Sequence, residues 1–370
     1  HENQLKSLKT GEVSLEDFSN TIKTFYSGDV YLVVKRPNGE NVPIKLNNNN
    51  PNIPDRLLEL EKKSTDGCDV LIQYVLPHMS VSNSCFKKNI IMYNTETSDF
   101  RPTSWASYIN LMDHAFVFSQ DSFYASVDSD VRIPISIIPH CDDIEKYKKQ
   151  YNKLKINPEI DNSYKFYWIG EINQRKNLEV LLRAFHSEFA PYEDVNLIIK
   201  TTNKSQQQLQ EFSTSVKSKL KLRPRLEDYK KEIFITGFMD DETLMSLHNA
   251  CDAFVCPSSG ETWSYPTFTA FAMGKEIVAP LTGGFTHYLN TNNCWAPSTS
   301  TKEIYGETET FFDLFTGYET WKEVDLGSLC DEMRCCYIAG KKNTNPQIEK
   351  FGHEEYGKML KTKLETIYNG

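Results

Sequence analysis

Long hydrophobic runs are missing from this 370-residue sequence: none approaches the roughly 20 apolar residues that cross a bilayer. The expectation is a soluble chain with no transmembrane segment, which leaves peripheral membrane contact open. Positive charge is also scarce, since 41 Lys plus Arg face 50 Asp plus Glu for a formal net charge of −9. Such a chain has no general attraction for nucleic acid or anionic lipid, so any phosphate must be held by a few local groups. Ordered cysteine spacing is absent too. The nine cysteines, including adjacent Cys335 and Cys336, form neither a disulfide framework nor a Cys-x-x-Cys metal pattern. That favours a reducing compartment and a cytoplasmic location. There is no internal repeat or low-complexity tract, and the lone sequon Asn203-Lys204-Ser205 is no more than chance supplies. The chain starts at His1 rather than an initiating methionine and continues as a polar helical pattern instead of a signal peptide, as expected of a domain excised from a longer protein.

What is present fits two α/β domains. The length exceeds one ordinary core, and 39% hydrophobic residues suffice for two. In the N-terminal part Val30 to Val34, Val70 to Val75, Asn89 to Met92, Ala115 to Phe118 and Ile135 to Ile138 read as strands alternating with helices. Lys45 to Pro54, dense in Asn and Pro, reads as a loop. The charged stretch Asp143 to Asn162 reads as the interdomain linker, ahead of a strand at Lys165 to Ile169. Domains are therefore expected at 1–157 and 158–349. In the second, Leu178 to Phe189, Gln206 to Leu220, Glu242 to Asn249 and Pro266 to Met273 read as helices, with Asp240 and Asp241 capping the third and Gly274 ending the last.

The richest stretch runs from Glu232 to Gly284. Ile233 to Thr236, Ala253 to Cys256 and Ile277 to Ala279 are short, β-branched or aromatic, and read as buried parallel strands. Small or polar residues follow each. Ligands of open α/β sheets bind beyond such carboxyl ends, so Gly237, Ser258 to Glu261 and Gly283 with Gly284 are expected to converge on one crevice, which looks like a nucleotide-sugar pocket.

At this point the order of residues resembles a family. Ile137-Ile-Pro-His-Cys-Asp-Asp143 with Tyr147, Trp168-Ile-Gly-Glu-Ile-Asn-Gln-Arg-Lys-Asn177, Pro257-Ser-Ser-Gly-Glu261 and Ala272-Met-Gly274 are similar to successive signatures of glycosyltransferase family 4. The likeness covers roughly residues 89–364. Asn94-Thr-Glu-Thr-Ser-Asp-Phe-Arg-Pro102 with Trp105 further resembles a subset with a Glu-Thr-Asp-Arg-x-Pro-like signature, here with one residue inserted. The resemblance implies the GT-B fold, two Rossmann-like domains with a cleft between them. It also implies a C-terminal helix, about 350–370 and begun by Phe351-Gly-His-Glu-Glu-Tyr356, that crosses back to the first domain. The implied activity is a metal-independent, retaining hexosyl- or pentosyltransferase, with a nucleotide-diphosphate sugar as co-substrate and no cofactor.

Residue by residue, Lys176 matches the phosphate-binding lysine, and Arg175 is a second cation beside it. A departing nucleoside diphosphate gains negative charge, which a metal-free site must meet with cations and oriented amides. Gly170 ends the strand before this loop. Trp263, Ser264 and Tyr265 precede a helix start whose amides suit a diphosphate, although the family usually has glycines there. Glu261 corresponds to the first glutamate of Glu-x7-Glu, placed near the donor sugar. The second, which grips the ribose hydroxyls, falls on Thr269, and Glu171 stands where many members carry a phosphate-binding arginine. These departures make a catalytically degenerate glycan- or nucleotide-binding module the rival reading. Gly283 and Gly284 look like a loop whose amides approach sugar or phosphate.

In the first domain the Gly-Gly loop that members carry after their first strand is not evident before Val30. A histidine common after the strand Asn89 to Met92 falls near Asn94, which leaves Glu96 and Asp99 to face the donor sugar or the acceptor. His78 and His140 are further acceptor-side positions at strand ends. The acceptor itself is left open among a glycan, a lipid-linked glycan, a protein and a small molecule. His140 with Cys141 could suggest a thiol nucleophile, but a cleft-facing turn is the plainer reading. Asp128-Ser129-Asp130 has the form of a metal-binding pair from another glycosyltransferase fold and is read as a surface turn, away from any strand end. A phosphorylase-like transferase would need a pyridoxal lysine or larger anion site, and neither stands out.

Overall fold

A computed structural model describes residues 30–35, 41–46, 59–60, 62–305 and 315–370. The chain divides into two units, His1–Cys68 and Asp69–Gly370. In the first, β1 (Val30–Lys35) and β2 (Asn41–Leu46) pair antiparallel, from Val30 opposite Leu46 to Lys35 opposite Asn41. This corrects two expectations. Val30 to Val34 is not one of a series of strands separated by helices, because the connection to β2 is far too short for the helical crossover that parallel strands need. Lys45 and Leu46 end a strand instead of opening a loop; residues 47–54 and the polar pattern after His1 lie outside the described residues.

The second unit holds two parallel sheets. Strands β3 (Val70–Tyr74), β4 (Lys88–Met92), β5 (His114–Val117) and β6 (Ile135–Ile137) lie side by side in chain order. Helices α1 (Trp105–Ile109) and α2 (Gln120–Asp128) follow β4 and β5. Ser119 starts α2 by accepting the Ser122 amide, which satisfies one free donor of the first turn. The segment 143–162 is irregular apart from two single 3₁₀ turns, Ile144–Lys148 and Pro158–Ile160, and leads into the second sheet.

That sheet alternates β7 (Tyr164–Ile169), α3 (Leu178–Glu188), β8 (Val195–Thr201), α4 (Gln206–Leu220), β9 (Ile233–Thr236), α5 (Asp241–Ala250), β10 (Ala253–Val255), α6 (Tyr265–Ala272) and β11 (Glu276–Val278). The strand order is β11-β10-β7-β8-β9, all parallel. Helices cover both faces: Phe166, Trp168, Leu197 and Ile199 pack to one side, Tyr167, Ile198, Phe254 and Ile277 to the other. Burial on both faces is why these strands read as unbroken apolar runs. The helix boundaries follow local chemistry. Ser205 and Gln208 form a reciprocal capping box at α4, Asp240 accepts the Thr243 amide at α5, and Gly274 takes φ +68° just past α6.

An antiparallel hairpin, β12 (Thr299–Glu303) with β13 (Thr320–Val324), precedes α7 (Leu326–Ala339). The last helix, α8 (His353–Asn369), returns to the first sheet, where Tyr356, Met359, Leu360, Leu364 and Ile367 pack on Ile90, Phe116 and Ile138. This is the expected crossing.

Candidate active site

The loops after β4, β5, β7, β10 and β11 meet at the carboxyl ends of the two sheets, where open α/β folds place their ligands. The loop after β7 carries Arg175 and Lys176, and the loop after β10 carries Ser258 to Glu261. Lys176 Nζ lies 2.5 Å from Glu261 Oε1. Arg175 donates from Nη1 to the Gly260 carbonyl at 2.6 Å and lies 3.3 Å from Glu261 Oε1, while its Nε lies 3.0 Å from Glu96 Oε2. The Ser259 amide in turn bonds the Arg175 carbonyl at 2.8 Å. The result is an unbroken row of alternating charge, Lys176–Glu261–Arg175–Glu96, of which Glu96 alone belongs to the first sheet's loops.

The two carboxyls of this row are set apart by their surroundings. Burial pushes Glu261 upward, but Lys176, Arg175 and the Ser258 hydroxyl prevail and hold it below the usual range. At Glu96 burial wins, and its carboxyl is raised despite Arg175. One carboxyl is thus fixed as an anion, and the other is easier to protonate.

The loops close on one another tightly. A Cβ on Gly260 would sit 2.1 Å from the Glu96 carbonyl oxygen, so no other residue fits that approach. Gly283, at φ +55°, donates its amide to Asp121 Oδ2 at 2.6 Å. His287 Nε2 donates to the Phe118 carbonyl at 2.7 Å, and the Ser98 amide to the Thr320 carbonyl of β13 at 2.7 Å.

At the start of α6, Ser264 is held at φ 64°, ψ 81°, a left-handed conformation costly for a residue with a Cβ and typical of sites where surrounding contacts impose it. Its hydroxyl pairs with that of Thr267 at 2.8 Å. Tyr265 is half-exposed, and its hydroxyl donates to the Cys141 carbonyl at 3.4 Å. Trp263 lies elsewhere. It is 2% exposed among Phe268, Tyr288 and Phe351, so the indole packs in the core, and its Nε1 has no hydrogen-bond partner among the described residues. Thr269 is buried as well. Its hydroxyl lies 3.1 Å from that of Tyr147, which donates to Asp142 Oδ2 at 2.5 Å.

Other expected positions scatter. Gly237 follows β9, three strands from β10 and hence about 14 Å away at the usual strand spacing. It is exposed, and its carbonyl accepts from Lys200 at 2.6 Å. It does not share the crevice with Glu261. Gly170 packs so closely on Trp168 that a Cβ would meet the ring at 2.9 Å. Ser258 is buried behind Glu261. Asp99 is buried and paired with Arg101 at 3.1 Å, shaping its own turn. His78 is exposed in the single turn Pro77–Met79. Asn94 donates to the Tyr74 hydroxyl at 2.9 Å and keeps a buried Oδ1 with no partner among the described residues. His140 stacks on Phe118 at 3.9 Å between ring centres, and burial together with His287 pushes it down to about 4. Cys141 is half-buried and its thiol is pushed up by burial, the wrong direction for a nucleophile. Glu171 is exposed.

Three features escaped the sequence. Asp121 reaches the Gly283 amide, the hairpin β12–β13 supplies Trp321 and Lys322, and Asp128 borders the same cavity. The turn reading of Asp128-Ser129-Asp130 therefore holds for Ser129 and Asp130, the latter at φ 67° and paired with Arg132 at 2.6 Å, whereas Asp128 is the last residue of α2. The cavity, about 250 Å³, adjoins Glu96 and Glu261. Among the described residues no cluster of three His, Cys, Asp or Glu side chains is arranged to hold a metal, and no helix is long and apolar enough to cross a membrane.

The sequence profile of the family described as Glycosyl transferases group 1 matches residues 163–311, the sheet that carries Lys176 and Glu261. The chain is similar to Anabaena HepE in complex with UDP and glucose, at 17% identity over 75% of this chain and 72% of the other, TM-score 0.54. Sucrose-phosphate synthase from Thermosynechococcus elongatus is 12% identical over 81% and 74%, TM-score 0.56. A UDP-forming trehalose-phosphate synthase from Burkholderia xenovorans is 11% identical over 85% and 76%, TM-score 0.55. No curated protein sequence matches the chain. The fold is GT-B, mixed α/β with two parallel sheets.

Proposed function

We propose that the protein is a retaining glycosyltransferase that moves a hexosyl or pentosyl group from a nucleotide-diphosphate sugar to a hydroxyl acceptor, without a metal or other cofactor. The observation that carries this reading is the meeting of Lys176 and Arg175 on Glu261 beside the start of α6. As the bond to the leaving diphosphate breaks, negative charge grows on its oxygens. Lys176, Arg175 and the amides around Ser264 would stabilise it, while the Glu261 carboxylate steadies sugar hydroxyls and the positive charge developing at the anomeric carbon. Closure of the loops on one another would exclude water, which otherwise competes with the acceptor.

UDP is the first nucleotide to test, because HepE binds UDP and glucose in its own structure. Domains at 1–157 with 350–370 and at 158–349, a cytoplasmic location, and a glycan, lipid-linked or protein acceptor with no nucleic-acid partner belong to the same reading. A second reading, a binding module that keeps the fold without turnover, is favoured by Thr269 being tied to Tyr147. Nucleotide release from a panel of nucleotide sugars in EDTA separates them. Release that is lost in Glu261→Gln is expected; binding with no release from any donor would establish the module instead.

A further inference from the structure

The turn after β6 sets His140 between the two sheets. Its ring lies nearly parallel to that of Phe118, at 12° and 3.9 Å between centres, while Trp263 and Tyr265, which flank Ser264 at the start of α6, stand 5.9 and 5.8 Å away. A ring stacked by its face keeps both nitrogens on its free rim. Neither nitrogen has a hydrogen-bond partner among the described residues, and the side chain is only partly buried. An imidazole beside a helix start, with donor and acceptor capacity unused, is equipped to meet a ligand there.

The charges nearby are already committed. Lys176 and Arg175 face Glu261 and Glu96, two cations against two carboxylates, so a diphosphate reaching this site finds no surplus positive charge in that row. Around the imidazole no anion is free to hold a proton. Asp142, the nearest carboxylate in sequence, is engaged by Lys146 at 2.7 Å and by the Tyr147 hydroxyl at 2.5 Å. Burial keeps Cys141, Tyr74, Tyr265 and Tyr356 protonated and neutral. His287 is pushed down by burial and carries Lys350 on its carbonyl at 3.0 Å. Burial and His287 accordingly push His140 down to about 4, and it is neutral near pH 7.

A nucleoside diphosphate at the start of α6 reverses that balance. Its negative charges, in a partly enclosed space where screening is weak, favour a cation at the rim of the ring. The Phe118 face accepts such a cation, because aromatic π-density attracts positive charge. We infer that His140 takes up a proton when the diphosphate binds and donates a hydrogen bond to it as imidazolium, a third cation alongside Lys176 and Arg175. The inference rests on the glycosyltransferase reading and adds to it a catalytic residue and a pH dependence of donor binding. The proton comes from solvent on binding and returns to solvent when the nucleoside diphosphate leaves, so none is consumed per turnover.

The test follows the full chain, labelled at histidine, by NMR between pH 5.5 and 7.5 in EDTA, with and without saturating UDP. The His140 signal is the one missing from His140→Gln and from His140→Asn. It should stay neutral throughout in the free protein and protonate in the complex with a midpoint of about 6, roughly a 100-fold gain in proton affinity. Lowering the pH across that range should then strengthen UDP binding about fourfold more in the wild type than in His140→Gln, since the titration of UDP itself is common to both. A histidine that only shaped its turn would change affinity by one factor at every pH. An imidazole that stays neutral with UDP bound, or equal pH dependence in wild type and variant, would overturn the inference. UDP bound beside a neutral His140 removes this inference alone; no binding of UDP, GDP or ADP removes the glycosyltransferase reading with it.

Discussion

The two sheets of the Asp69–Gly370 unit treat charge differently. The second buries it. Glu232 accepts from His186 Nε2 at 2.5 Å, Ser213 at 2.7 Å and Lys217 at 2.6 Å inside the core, and Lys176 with Arg175 is held against buried Glu261 at the rim. The first sheet keeps an apolar core of Ile90, Ile91, Phe116 and Val117 and carries its carboxylates, Glu96, Asp121 and Asp128, on the loops and helix beyond the strands. Cations thus line one wall, and the carboxylate of Glu96 meets Arg175 from the other.

The strongest way to break this contrast is to remove the acid inside the second sheet. Glu232→Gln leaves Lys217 buried without its counter-ion and should cost about 3 kcal/mol or more in chemical denaturation. Burial alone would push the Glu232 carboxyl up, but His186 and Lys217 hold it at about 2, below the ordinary 4.5. Its contribution is therefore full above pH 4.5 and fades as pH falls toward 2. Wild-type stability should drop across that window more steeply than that of Glu232→Gln. Next in size, Glu261→Gln should lower transfer about 100-fold, close to 3 kcal/mol, and should also lower the melting temperature, because Arg175 and Lys176 lose their shared counter-ion. Gly260→Ala targets the meeting of the walls. Its Cβ has no room beside the Glu96 backbone, so closure should loosen and turnover fall about tenfold, with small-angle scattering showing a more open unit. The smallest effect is expected from Asp121→Asn, which weakens the hold on the Gly283 amide and should tighten UDP binding by about twofold to threefold.

The sequence was most legible where the sheet is buried on both faces. Continuous apolar strands, Asp240 and Gly274 each act locally, so β7 to β11 and their helices could be read directly; the Ser205 box at α4 is equally local and went unread. That Lys176 and Glu261 lie together was legible through the order of motifs. Asp121 was not, because it acts on Gly283, far away in sequence; nor were Asp128 and Trp321, which border a cavity shared with distant segments that no local pattern marks. The β12–β13 hairpin is largely polar, Thr-Ser-Thr-Lys-Glu against Thr-Trp-Lys-Glu-Val, and offers no periodic core face. Trp263 misled for the opposite reason. Its neighbours in sequence belong to the helix start, whereas the partners that bury it, Tyr288 and Phe351, come from later segments. Gly237 failed because strand order, which puts β9 at the sheet edge, cannot be read from strand sequence.

The central claim is that a lysine and a helix start, rather than a divalent ion, grip the diphosphate. Calorimetric titration of UDP into the wild type and Lys176→Ala, both in EDTA, tests it most directly. The account predicts saturable binding to the wild type and at least tenfold weaker binding to the variant. Equal affinity for the two proteins, or wild-type binding only after a divalent cation is restored, would contradict it.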